Sequence, residues 1–198
     1  MKLEIFVIGN LEKDFLKKRQ KVMRTSKAPL VMLLNTDIKV SNYQRAVKRF
    51  GKDPKLFAVT FSPESSKKGE VSEVEVANGG SSIYRRKIWN KIGGIDMMFE
   101  PYWWDDVDYS YRAKKAGYKI IEDGTVGVRQ IGEMGVDILK RNLRSVLIQR
   151  RNYLLFLKKH KPDYYRKVMF HYSVFPFIPW VEWRFKKFKG GLSRCGTL

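Results

Sequence analysis

Three short runs hold residues whose types and spacing suit chemistry. Asn35-Thr36-Asp37 follows the apolar run Leu30–Leu34, which places an amide oxygen and a carboxylate at the end of a buried strand. Such oxygens are hard ligands suited to Mg2+ or Mn2+ with a diphosphate. Ligands of open α/β sheets gather beyond the carboxyl ends of the strands. Asn and Asp are also ordinary turn formers after strands, and that plainer role stays open. Tyr102-Trp103-Trp104-Asp105-Asp106-Val107-Asp108-Tyr109 puts three carboxylates into a first helical turn behind tandem tryptophans. Capping and the helix dipole favour one or two acids there, but explain neither the third nor the tryptophans. A carboxylate beside large rings is partly desolvated, which raises its pKa and makes it a better proton acceptor. Gly79-Gly80-Ser81-Ser82 lacks the spacing of a nucleotide-binding glycine loop, yet paired glycines let backbone approach a ligand closely.

These runs need elements to position them. Leu3–Ile8 reads as a strand ending at Gly9-Asn10, and Lys13–Thr25 as a helix with a basic outer face. Leu30–Leu34 is continuously apolar, as expected of a strand buried on both faces. Ser41 is placed to cap a helix over Asn42–Phe50, and Lys55–Phe61 alternates as a strand. Ser62–Ala77 is polar and predicts an exposed excursion. A strand at Ile83–Arg85 and a helix at Lys87–Ile92 follow, stopped by Gly93-Gly94. Asp105–Ala116 predicts a helix stopped by Gly117, and Tyr118–Ile121 a strand. From Val136 the pattern turns amphipathic and basic. Alternating strands and helices predict an α/β fold with a largely parallel sheet flanked by helices.

Composition bounds the function classes. The 198 residues suit one domain, and 43% apolar with 14% aromatic residues excludes a disordered polycation. The formal charge is +20, but residues 140–198 carry 15 Lys or Arg against Asp163 and Glu182, a net +13. The expected division is a body over 1–135 and a basic, aromatic, helical tail over 136–198. The longest charge-free run, Val168–Val181, has 14 residues broken by two prolines, too short for a membrane span. No secretory signal is evident at the start, and the lone Cys195 excludes an internal disulfide framework, so a cytoplasmic setting is expected. His160 and His171 lack ligand spacing and read as packing or surface residues.

Taken in order, the runs resemble family 2 glycosyltransferases of the GT-A type. Those enzymes show a strand ending in N-x-D or D-x-D, then a glycine-led segment, R-R-x6-G-G-F-D, and W-E-D-V-D-L-S-x-R-A-x-x-A-G-Y. Ile83–Lys119 matches the last two blocks almost position for position, and Arg151-Asn152-Tyr153-Leu154-Leu155-Phe156-Leu157 resembles an R-N-x-L-x-F-L helix that follows them. The resemblance implies an inverting, hexosyltransferase-like enzyme that moves a sugar from a nucleotide-diphosphate donor to a glycan, lipid-linked or protein acceptor.

By position, Asp106 becomes the general base with Asp105 beside it. Asn35 and Asp37 become the metal and diphosphate motif, with Arg19 and Gln20 as further donor contacts. Gly79, Gly80, Trp103 and Trp104 fall at the acceptor. The chain departs from the family in three ways. Asn35 stands where a second acid is common, and Arg129 or Gln130 stands where a metal-binding His is usual, so Arg129 becomes a candidate diphosphate contact. The stretch before Asp37 has room for one βαβ unit of about 30 residues, which leaves the nucleotide-base pocket shortened.

Tyr164–Phe188 mixes aromatics with Arg184, Lys186 and Lys187, and Lys189 follows, a pattern suited to an anionic membrane surface and hence to peripheral attachment. Packing of the aromatics on the core is the plainer alternative. A non-enzymatic nucleic-acid binder, or a degenerate sugar-binding domain, is the alternative for the whole chain.

Overall fold

The computed structural model describes residues 1–9, 14–62, 69–131 and 143–174, with side chains in the last stretch from 144 to 170. Its centre is a six-stranded sheet of β1 (Leu3–Ile8), β2 (Leu30–Asn35), β4 (Leu56–Thr60), β5 (Val71–Glu73), β6 (Ser81–Arg85) and β7 (Lys119–Asp123). The spatial order is β1-β2-β6-β4-β7-β5. The β1–β2 and β4–β7 pairs are parallel, whereas β6 runs antiparallel to both β2 and β4, and β5 antiparallel to β7. Four strands thus share a direction, but three of the five pairings are antiparallel. The shared direction of β1, β2, β4 and β7 follows the expectation from alternating strands and helices, while β6 and β5 run against it. Burial on both faces dictates unbroken apolar runs whatever the direction of a neighbouring strand.

A second, two-stranded sheet pairs β3 (Ile38–Ser41) with β8 (Gly127–Gln130), antiparallel, with Ile38 opposite Gln130. Ser41 is therefore not the expected helix cap. It ends β3, its hydroxyl donates to the Gly127 carbonyl at 3.4 Å, and α2 (Gln44–Lys52) begins after Tyr43 without a side-chain cap. A strand of four residues carries too little alternation to compete with a cap-like Ser in the sequence.

Alternate residues of β2 feed two cores on opposite faces of the sheet. Val31 and Leu33 point to one, with Phe57, Tyr84, Trp89 and Tyr109. Leu30, Met32 and Leu34 point to the other, with Phe50, Val59 and Ile83. Fully burying each such side chain stabilises the fold by about 1.5–3 kcal/mol. The first core carries α1 (Phe15–Thr25), α3 (Arg86–Lys91) and α4 (Asp105–Lys115). It also receives Phe156 and Leu157 of α5 (Leu143–His160) and, from α6 (Pro162–Val174), Tyr164, Tyr165 and Val168. α3 ends where Gly93 and Gly94 turn left-handed, at φ 87° and 67°. A Cβ on Gly94 would lie 2.5–2.6 Å from Gln20 and the Trp89 indole nitrogen, so that turn admits only glycine.

Candidate functional site

The first turn of α4 holds Asp105 and Asp106 at the edge of the apolar core. Asp105 is buried, and the buried Arg19 guanidinium of α1 lies 3.6 Å from its Oδ2, too far for a hydrogen bond. Among the described residues neither Arg19 Nη2 nor Asp105 Oδ2 finds a hydrogen-bond partner, an uncommon state for polar atoms so deeply enclosed. Burial, and then repulsion from Asp106, push the Asp105 carboxyl up to about 7 against the pull of Arg19. Asp106 is half-buried and accepts the Val107 N–H at 2.9 Å. Desolvation raises its pKa too, against Arg19 and the Val107 and Gly79 amides. The pair therefore holds protons more tightly than free carboxylates, as a base working near neutrality requires.

Gly79 and Gly80 connect this pair to the end of β2. The Asn35 N–H donates to the Gly80 carbonyl at 2.8 Å, and the Asn35 carboxamide lies where a Gly80 side chain would stand. A Cβ on Gly79 would reach within 2.9 Å of the Arg19 guanidinium. The glycines thus form a strip of bare backbone between Asn35 on one side and Arg19 with the acids on the other. Asn78 shapes the strip: its Oδ1 accepts the Gly80 N–H at 2.9 Å, and its own N–H donates to Thr60 Oγ1 at 2.9 Å. Asp37 lies beyond Asn35, in the turn to β3. There it accepts Gln130 Nε2 at 3.2 Å, and its carbonyl accepts the Ile131 N–H at 2.8 Å.

The tandem tryptophans occupy a strained turn. Trp103 and Trp104 both have positive φ, 76° and 71°, in a region that large side chains seldom adopt. Asn152 of α5, fully buried, holds this turn. Its Nδ2 donates to the carbonyls of Phe99, Tyr102 and Trp103 at 2.7, 2.8 and 3.0 Å. Arg151 adds a bond to the Glu100 carbonyl at 3.0 Å. The Trp104 ring packs on Tyr153 and Phe156, at 4.9 and 5.4 Å between ring centres, while Trp103 meets Tyr102.

Asp108, the third acid, faces elsewhere. It is fully buried, with Oδ2 accepting Arg112 Nε at 2.9 Å and Oδ1 taking Lys159 Nζ and His160 Nε2, each at 2.7 Å. Burial alone would raise its pKa, but His160, Lys159 and Arg112 outweigh it and hold the carboxyl down at about 2. Arg112 in turn donates to the Ile92 and Gly94 carbonyls, so Asp108 ties α4 to α5 and to the glycine turn. His160 is thus a packing residue, wedged between Tyr111 and Phe156.

Two further sequence candidates lie apart. The Gln20 side-chain oxygen accepts Trp89 Nε1 at 3.2 Å and the Ile95 N–H at 2.9 Å, so it braces α1 against α3 inside the core. Arg129 is exposed and alternates with Gln130 along β8, so it points away from the face that meets Asp37. The tail residues Arg184, Lys186, Lys187 and Lys189 lie outside the described residues. A groove of about 350 Å³ runs between α4 and α5, lined by Trp104, Val107, Tyr111, Tyr153 and Phe156 among others, and it does not include the acid pair.

Sequence reasoning missed Asn78 and Asn152 as organisers of the site. An Asn directly before Gly79-Gly80, and a lone amide before the apolar stretch Tyr153–Leu157, were the available signals.

No protein-family description matches this sequence, and no curated protein sequence matches it. Comparison of folds gives a different result. A crystal structure of GalNAc-T7 with UDP, GalNAc and Mn2+ matches at a TM-score of 0.56 and 14% identity, over 74% of this chain. The chain has a GT-A-like fold. It spans 34% of the length of that neighbour, which is a glycosyltransferase. The structure of A197 from STIV matches at a TM-score of 0.47 and 13% identity, over 67% of this chain and 87% of that one. Among the described residues no helix is long and apolar enough to cross a membrane.

Proposed function

We propose that this chain is the catalytic unit of an inverting glycosyltransferase of the family 2 kind, using a nucleotide-diphosphate sugar. The observation that carries the assignment is the Asp105-Asp106 pair, raised in proton affinity beside the buried Arg19, in a GT-A-like fold. Asp106 is the general base, the more accessible carboxylate of the two. It takes the proton of an acceptor hydroxyl as the oxygen forms its bond to the sugar C1 and the C1–O bond to the diphosphate breaks. One base with direct displacement inverts the anomeric centre. Burial and Arg19 set the proton affinity of the pair: burial keeps Asp106 basic, Arg19 limits how far both are raised, and Asp106 in turn raises Asp105 by repulsion.

Asn35 and Asp37, at the end of β2, form the donor side of the site. The Gly79 and Gly80 backbone and the Trp103 face line the acceptor, which is a glycan, a lipid-linked sugar or a protein, while Trp104 anchors the turn to α5. The charged tail after Val174 is the segment we assign to an anionic membrane surface.

The test is a thermal-shift panel of nucleotide sugars on the full chain, followed by transfer assays on the one that binds. Asp106→Asn lowers turnover by about 10²–10⁴-fold while the donor shift persists. Undiminished turnover in that variant would sink the base assignment. Retention on DNA with no shift from any sugar nucleotide would favour a nucleic-acid binder instead.

A further inference from the structure

Asp37 and Asn35 are the residues put forward as hard ligands at the end of β2, and the fold neighbour was crystallised with Mn2+. Whether they suit such an ion is a matter of charge and of what already touches them. Mg2+ and Mn2+ favour several oxygen ligands in near-octahedral array, and affinity follows the negative charge those ligands bring. Among the described residues the end of β2 offers one carboxylate, and no group of three or more His, Cys, Asp or Glu among them could hold a metal ion.

The carboxylate is also engaged. The β3–β8 ladder brings Gln130 level with Ile38, and the bond from the Ile131 N–H to the Asp37 carbonyl locks the register. In that register Gln130 Nε2 donates to Asp37 Oδ2 at 3.2 Å. That N–H dipole already satisfies one of the Asp37 oxygens, so a cation would have to displace it or share the carboxylate with it. Turned over, the Gln130 amide would offer an oxygen without charge, leaving a divalent ion facing a single negative charge. Asn35 adds none either, and its carboxamide is held against Gly80. The residues present do not fit a tightly bound divalent cation.

We propose that Gln130 takes the place of a cation at Asp37, so that this site receives its phosphate-bearing ligand without a bound divalent metal. The metal half of the statement stands on Asp37 and Gln130 alone; the ligand half rests on the proposed function. Arg129 does not substitute for the metal, because it projects from the other face of β8.

Electron paramagnetic resonance of Mn2+ titrated with the full-length chain tests the metal half directly. The wild type is expected to leave the free-ion spectrum unchanged, with a dissociation constant weaker than about 1 mM, the weak end for oxygen-ligand sites. Gln130→His, which removes the amide donor and supplies an imidazole, is expected to bind Mn2+ at least about tenfold more tightly, and adding Asp37→Asn should abolish that gain. Stoichiometric Mn2+ on the wild type, lost in Asp37→Asn, would overturn the proposal. So would a Gln130→His chain that is folded by circular dichroism yet binds no better than the wild type. Thermal shifts by sugar nucleotides, equal in EDTA and in Mn2+, support the ligand half, and a shift that needs Mn2+ overturns it. A panel with no shift at all strikes the proposed function and the ligand half, and leaves the resonance result to decide the metal half.

Discussion

Asp105 and Asp108 stand three positions apart on one helix, both buried, yet they ionise at opposite ends of the carboxylate range. Asp105 has one cation at 3.6 Å and a like charge beside it, and is pushed up to about 7. Asp108 has the Arg112 and Lys159 cations and the His160 ring nitrogen in hydrogen-bond contact, and is held at about 2. Residue type and burial are the same. What differs is how many donors the rest of the fold delivers to each oxygen. A carboxylate saturated with donors is locked as structure, whereas one left short of them keeps the capacity to take a proton.

The contrast can be broken first at Asp108. Asp108→Ala leaves Arg112, Lys159 and His160 facing an empty buried space, and should cost about 3–5 kcal/mol in urea unfolding. The wild-type contribution has a definite sign with pH. The folded pKa is depressed, so the stability is present above the ordinary value of 3.8 and is lost as pH falls toward about 2. Acid titrations of wild type and variant should therefore converge at the low end.

A smaller loss is expected at the turn before the acids. Asn152→Ala strands three carbonyls and should cost about 3 kcal/mol, with a change in the near-ultraviolet circular dichroism of Trp103 and Trp104. An unchanged tryptophan signal would show that the strained turn holds itself.

The mildest change is expected at Asp105, with the opposite sign. Its folded pKa is raised, so its stabilising contribution is complete in acid and is lost as pH rises through about 7. Asp105→Asn should flatten that slope and raise the melting temperature at pH 8 relative to the wild type. A variant that melts lower at pH 8 would mean that the Arg19 contact outweighs desolvation.

Much of the fold was legible because it is written in periodicity and punctuation. Leu30–Leu34, Asp105–Ala116 and the Gly93-Gly94 stop all appear close to where the sequence puts them. The small β3–β8 sheet was not legible, since its two strands are four residues each and lie 86 positions apart at Ser41 and Gly127. At the site, the acids and glycines announced themselves by type. The distinction between Asp105 and Asp108 did not, because it depends on Lys159 and His160, about fifty residues downstream. Asn152 falls in the stretch that resembles the R-N-x-L-x-F-L helix, but its reach to three carbonyls about fifty residues upstream was hidden for the same reason. A side-chain amide reaching backbone carbonyls leaves no repeat in the sequence. Gln20 looked like a ligand contact because, with Arg19, it falls on donor-side positions of the family resemblance, but successive residues of a helix point about 100° apart, and its oxygen turns into the core.

The Asp108 cluster also governs how the molecule responds to ionic strength. With a formal charge of +20, the surface attracts polyanions, and that attraction weakens as dissolved ions shorten the Debye length to about 8 Å at physiological concentration. The exposed Glu73 and Glu75 contacts of Lys114 weaken in the same way. The contacts around Asp108 sit away from water, and screening scarcely reaches them. Concentrated salt should therefore wash adsorbed nucleic acid or lipid from the chain while α5 stays fastened to α4, so the protein can be stripped of adventitious polyanions without dismantling the turn that presents its acids.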